Sequence, residues 1–281
     1  MKVYATVTLI GRDKSGVIAR VTQFLFQNQA NIEGLEEQVS RGEFSMTLQA
    51  SWMKQGFDRS KVQRGLKALA RELGMDMNIH LSQPKAQLRM GVLITREAHI
   101  FEALIQACRT KKLKADPVVV ISNRKDLQKL AQQVGLPFHF VDYSNRSTAE
   151  KKILQLAEKY ELDFMVLARF MKILSPNFVW RWKNRIINIH PSLLPAFPGA
   201  SAYRQAYEKG VKVVGVTAHF VTPDLDQGPI ISQECFRLKG DESLREIVRK
   251  GQLCESKCLV HAVSKFLKNR LDVHWGKVYE G

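Results

Sequence analysis

Hydrophobic positions in the first third of the chain change period several times. Val3 to Ile10 is rich in β-formers and predicts a strand. Gly11-Arg12-Asp13-Lys14-Ser15-Gly16 is turn chemistry, with Ser15 placed to cap a helix. Val17, Val21, Phe24 and Leu25 then recur at helical spacing and make one apolar stripe. Asn31 to Ser40 and Glu43 to Trp52 predict two strands joined at Arg41-Gly42. Val62, Leu66, Leu69 and Leu73 form a second helical stripe, and Met75 to Leu81 closes as a strand. The order βαββαβ is the ferredoxin-like plan, here over residues 1–82. That plan serves many functions, so it fixes none.

A polar stretch holding a proline, Ser82-Gln83-Pro84-Lys85-Ala86-Gln87, reads as a linker to a second domain over residues 88–281. Strands at 89–94, 117–122, 138–141 and 163–168 alternate there with helices at 98–109, 125–134 and 147–160. Such alternation predicts a doubly wound, mostly parallel, Rossmann-like α/β sheet. A further helix opens near Ser175-Pro176, where serine caps and proline fits the first turn. The stretches 212–222 and 229–238 predict antiparallel additions, and 241–269 predicts a helix.

Candidate chemistry gathers late in this second domain. Arg185 to His190 reads as a buried strand ending in Asn188-Ile189-His190, and Pro191 stops it. Residues two apart on a strand face the same side, so Asn188 and His190 share one face at a carboxyl end, where open α/β sheets bind ligands. Val221 to Pro229 is a strand end running into a turn that carries Asp226. An amide donor, an imidazole and a carboxylate suit attack on a carbonyl carbon. Asn188 can hold the developing oxyanion, His190 can stabilise it or move a proton near neutrality, and Asp226 can orient His190 or take a proton from water. The same residue types also occur as plain loop-anchoring hydrogen bonders. His219, on the strand leading to Asp226, is placed to support the set from behind, and Thr217 precedes it by two.

Read as strings, "NIHPSLLPAFPGA" (188–200), "GVTAHFVTPDLDQGPII" (215–231) and "LARFMKILSPNFV" (167–179) resemble the folate-dependent formyltransferase family in order and spacing, with likeness over about residues 88–268. The resemblance implies that Asn188, His190 and Asp226 are the catalytic set. It implies that a pterin ring lies against backbone around Phe170, Met171 and Leu174, and against the loop with Thr222 and Gln227. It further implies an anion contact at Arg146, folate as substrate rather than cofactor, and no metal. Two departures bear on the acceptor. Members that formylate a ribonucleotide carry a glycine-rich phosphate-cradling turn after the first strand; here the turn is Thr95-Arg96-Glu97-Ala98-His99. Arg169 stands where those members usually have glycine. Both features resemble the branch that passes the formyl group to water, which implies hydrolysis of 10-formyltetrahydrofolate to formate and tetrahydrofolate, within one-carbon metabolism and purine synthesis.

The front of the chain, "DKSGVIARVTQFL" (13–25), resembles an ACT domain. That resemblance implies subunit pairing into a homo-oligomer and an amino-acid effector. Three rival readings stay open. One is formyl transfer to a small amine, a ribonucleotide or an aminoacylated RNA. Another is an ACT-type sensor with an inactive second domain. The third is an RNA-binding use of the ferredoxin-like plan, for which Phe44 and Trp52 are available aromatics but the aromatic-basic signature is missing.

The 281-residue chain carries a formal net charge of +16, a field that attracts anions such as folate, or nucleic acid, unless the lysines merely solvate helix faces. A tRNA-acting relative would carry its extra domain after the catalytic one, so no nucleic-acid partner is expected. Cys108, Cys235, Cys254 and Cys258 suggest no disulfide framework, and the helical spacing of the last two suits helix packing better than a metal. Gly11-Arg12-Asp13-Lys14 interrupts any leader-like apolar run, and no stretch approaches a membrane span, so a cytoplasmic protein is expected.

Overall fold

The computed structural model describes residues 2–40, 42–55, 57–82, 87–268, 271–274 and 276–280. Two compact units divide the chain, Met1–Lys85 and Ala86–Gly281. Residues 83–86 of the expected linker lie outside the described residues.

In the first unit, β1 (Lys2–Arg12), β2 (Asn31–Ser40), β3 (Glu43–Met53) and β4 (Asp76–Ser82) form one antiparallel sheet in the order β2-β3-β1-β4. The helices α1 (Val17–Gln27) and α2 (Arg59–Leu73) supply the covering stripe, burying Val17, Val21 and Leu25 from one and Val62, Leu66, Leu69 and Leu73 from the other. These close over Val7, Leu9, Met46 and Leu48 in a single core. The α1 cap differs from the sequence expectation: the N-cap is Gly16 at φ +84°, with no side-chain cap bond, so Ser15 does not cap. Glycine takes that left-handed turn without a Cβ penalty. Helix α2 starts on Asp58, which accepts from the Lys61 N–H at 2.9 Å, and ends at Gly74, φ +59°. Phe44 and Trp52 are both buried at 3 % exposure, which removes the stacking platform an RNA-binding reading needs.

The second unit is built on a seven-stranded sheet in the order β11-β10-β9-β8-β5-β6-β7. Its strands are β5 (Leu88–Ile94), β6 (Ala115–Ser122), β7 (Phe138–Phe140), β8 (Phe164–Ala168), β9 (Ile186–His190), β10 (Val213–Phe220) and β11 (Ile230–Arg237). Strands β5 to β9 pair in parallel, β10 adds antiparallel to β9, and β11 adds antiparallel to β10. Central strands such as β8 are buried end to end, as parallel strands covered on both faces must be. One face packs on α3 (His99–Arg109), α4 (Gln128–Gln133) and the long α8 (Leu244–Leu267); the other packs on α5 (Arg146–Lys159) and α6 (Pro176–Arg181). Ser175 caps α6 as expected, accepting from the Phe178 N–H at 3.2 Å, with Pro176 in the first turn. Chain order reverses at β5, which has β6 on one side and β8 on the other, so ligand space falls at the carboxyl ends of β5, β8 and β9.

Three elements depart from the sequence reading. A short helix, α7 (Ala202–Glu208), forms where the sequence pattern predicts no element. A terminal hairpin, β12 (Leu271–His274) with β13 (Lys277–Glu280), follows α8. The helix expected at 125–134 shrinks to the six residues of α4. The four cysteines are free thiols; Cys254 and Cys258 stand on α8 and Cys235 lies exposed on β11. No helix among the described residues is long and apolar enough to cross a membrane.

Candidate active site

Strand β9 divides its side chains by the period of two. Ile187 and Ile189 enter the core under α3 and α8, while Asn188 and His190 face the other way. Beyond Pro191 the chain loops back over the strand end. Thr217 of β10 fixes that loop: its Oγ1 donates to the Ser192 carbonyl at 2.7 Å and accepts from the Leu194 N–H at 3.0 Å and from Gln233 Nε2 at 2.9 Å. The loop thus brings the Phe197 carbonyl and the Gly199 N–H to the imidazole of His190 and its neighbour.

Each nitrogen of His190 meets an acceptor. Nε2 lies 2.9 Å from the Phe197 carbonyl oxygen, and Nδ1 lies 3.2 Å from Asp226 Oδ2. That geometry suits a doubly protonated ring. Asp226 stands in the loop after β10 at φ +55°, and the same Oδ2 accepts from the Gly199 N–H at 2.8 Å. Burial alone pushes the Asp226 carboxyl up, but the bonds from His190 and Gly199 outweigh it and hold the group below the usual carboxylate range. Asn188 Nδ2 faces His219 Nε2 at 3.2 Å.

Asn188, His190, His219 and Asp226 all line one cavity of about 480 Å³. Phe170, Met171, Leu174 and Thr222 line it too. Arg146 and Gln227 do not: Arg146 is the exposed first residue of α5, and Gln227 closes the turn behind Asp226 through its N–H to the Asp224 carbonyl. The cations that reach the cavity wall are instead Arg169, Lys172 and Arg204. Among the described residues no group of three or more His, Cys, Asp or Glu side chains gathers as a metal site.

A charged block that residue patterns did not reveal forms part of the same wall. Arg169, at φ +59°, donates from Nη2 to Glu97 Oε1 at 3.0 Å, and its Nε lies 3.9 Å from Glu255 Oε2. Glu255 is fully buried; Tyr203 Oη donates to its Oε1 at 2.6 Å and His99 Nε2 lies 3.2 Å from its Oε2. Gln252 Nε2 reaches Glu97 at 3.4 Å. Burial draws protons off Arg169, yet Glu255 and Glu97 more than compensate and keep it charged. Glu97 and Arg169 stood out in the sequence as departures, but Glu255 did not, because a glutamate on a helix ordinarily faces water.

A ferredoxin-like unit ahead of a doubly wound sheet, with amide, imidazole and carboxylate at the sheet's carboxyl edge, defines the class: an ACT module joined to a formyl transferase module. Residues 4–80 match the ACT domain model and residues 88–263 match the formyl transferase model. The formyltetrahydrofolate deformylase of Bacillus subtilis is 36 % identical over 270 residues, covering 94 % of this chain and 89 % of its own. A crystal structure of such a deformylase from Pseudomonas syringae superposes with a TM-score of 0.67 at 30 % identity, covering 100 % of this chain and 94 % of that one. Glycinamide ribonucleotide transformylase 1 from Symbiobacterium toebii gives a TM-score of 0.66 at 33 % identity, but covers only 72 % of this chain while covering 97 % of its own. The chain belongs to the formyltetrahydrofolate deformylase family.

Proposed function

We infer that this chain hydrolyses 10-formyltetrahydrofolate to formate and tetrahydrofolate. The observation that carries the reading is the convergence of Asn188, His190 and Asp226 on one cavity, in a chain that is similar to deformylases along nearly its whole length. Water attacks the formyl carbon, and the carbonyl oxygen takes up negative charge. The Asn188 amide and the His190 imidazolium supply the positive field for it. Asp226, the counter-ion of His190 in the resting site, accepts the water proton, is neutral while it holds it, and passes it on to the leaving nitrogen. The bond from carbon to the folate nitrogen breaks, and that nitrogen gains a proton. The charged wall of Arg169 and Glu97 supports water as the acceptor: it fills space beside the reacting carbon and turns a carboxylate toward any anionic rival. Lys172 and Arg204, rather than Arg146, are positioned to meet the carboxylates of the folate tail. The ACT unit is assigned subunit pairing and an amino-acid effector; exposed Ile32, Leu35 and Val39 on the edge strand β2 support the pairing. The proposed compartment is the cytoplasm.

Incubation of the purified protein with 10-formyltetrahydrofolate and no acceptor is the test. Formate and tetrahydrofolate are expected in equal amounts. His190→Ala and Asp226→Asn are each expected to lower turnover by about 10²–10³-fold while the fold persists. Turnover that waits for an added amine rejects the hydrolase reading, and undiminished turnover in either variant rejects the residue roles.

A further inference from the structure

His219 is an imidazole of 2 % exposure that the reaction above leaves without a task. It sits directly opposite Asn188 on the antiparallel pair β9–β10. Its Nδ1 lies 2.8 Å from the carbonyl oxygen of Phe220. A carbonyl can only accept, so Nδ1 carries a proton. Burial, the largest influence on this ring, holds it below the ordinary histidine value, so near neutrality Nδ1 holds the ring's single proton. The other nitrogen, Nε2, is then an acceptor. An asparagine side chain can present either its NH₂ or its oxygen at a given place, and an acceptor at Nε2 selects the NH₂. One N–H of Asn188 therefore ends on His219 at 3.2 Å, and the second remains for the cavity that Asn188 lines.

We propose that His219 is a positioning residue: its fixed tautomer sets the Asn188 amide so that a donor, and not an oxygen, meets the formyl oxygen. This rests on the reading of Asn188 as the oxyanion donor. With the amide turned over, two oxygens would face each other as charge develops, and the donor would become a repulsive group. The anchor of the tautomer is itself boxed in. A Cβ built on Gly228 would lie 1.6 Å from the Phe220 oxygen and 3.1 Å from His219 Nδ1, so only bare backbone fits beneath that carbonyl. The Phe220 N–H also donates to the Pro229 carbonyl at 2.9 Å.

Steady-state kinetics on His219→Asn, His219→Gln and Asn188→Ala, alone and combined, test the proposal. His219→Asn keeps an amide nitrogen near the place of Nδ1 for the Phe220 carbonyl but offers nothing at the place of Nε2. It is expected to fold and to lose up to about 10²-fold in kcat, with KM changed little, because a misaimed group costs about that much. His219→Gln can place an oxygen near Nε2 and is expected to recover most of the loss. Since His219 acts through Asn188, the His219→Asn loss should vanish when Asn188 is already alanine. Losses that multiply in the double variant, or a folded His219→Gln as slow as His219→Asn, overturn the proposal. An Asn188→Ala protein as fast as the parent overturns the oxyanion reading instead, a separate failure.

Discussion

Arg169 holds a left-handed backbone conformation that a non-glycine residue adopts at a cost of about 1–2 kcal/mol. Arg169→Gly removes that cost but leaves Glu97 and the fully buried Glu255 without their guanidinium. Losing one partner of a buried pair costs about 3–5 kcal/mol, so the second effect wins and the variant should melt lower than the parent. A rise in melting temperature would mean the block contributes little. His219 gives the fold a pH dependence. Its folded pKa is depressed, so below about pH 6.5 the unfolded chain takes up a proton that the folded chain refuses. That part of the stability is complete above about 6.5 and is lost as pH falls toward the folded value. Thermal melts across pH 7 to 5 should show this slope in the parent and a shallower one in His219→Gln. At this scale Asn188 and His190 were legible, because a strand's period of two and a following proline leave few other readings. Arg146 and Gln227, which likeness puts near the site, stand off the cavity wall: one opens α5 and the other closes a turn through its own N–H.

Among the elements, α8 does most to tie the second unit together. It runs from a capping box at Ser243 and Glu246, and from its middle Glu255 reaches a hydroxyl of α7 and an imidazole of α3. Gly251 makes that reach possible, since a Cβ there would lie 2.3 Å from Tyr203 Oη. Burial, then Glu255, push the Tyr203 phenol far above its ordinary range, so it remains a donor. Glu255→Ala should therefore destabilise by about 3–5 kcal/mol and Tyr203→Phe by about 1.5–3 kcal/mol, read as shifts in urea midpoint. Equal midpoints for parent and variants would show that helix packing alone holds these elements. The partners stand at positions 99, 169, 203 and 255, and no local pattern links them. The short α7 escaped notice for a related reason. Its cap is Ser201 at φ +60° with no side-chain bond, and its seven residues are too few for a clear stripe. The long strands and helices announced themselves through sustained burial patterns, which is why their order could be read in advance.

At the scale of the molecule, the first unit owns one core and the second owns two, one on each face of its sheet. Each unit has the apolar interior that independent folding requires. Scanning calorimetry should resolve two transitions, and a substitution such as Leu48→Ala should move one of them and not the other. A single transition displaced as a whole would mean that the two units melt as one.

The pairing of β9 with β10 reaches beyond stability. Asn188 meets His219 because the two are rung partners, and β10 departs from its regular register with β11 between Ala218 and His219. A slip of one residue would turn His219 to the opposite side of the sheet and bring Ala218 or Phe220 against the amide. The same step would carry Val214, Val216, Ala218 and Phe220 out of the core they share with α8 and turn Thr217 and His219 into it, so the packing of the whole strand is what seats one imidazole against one amide.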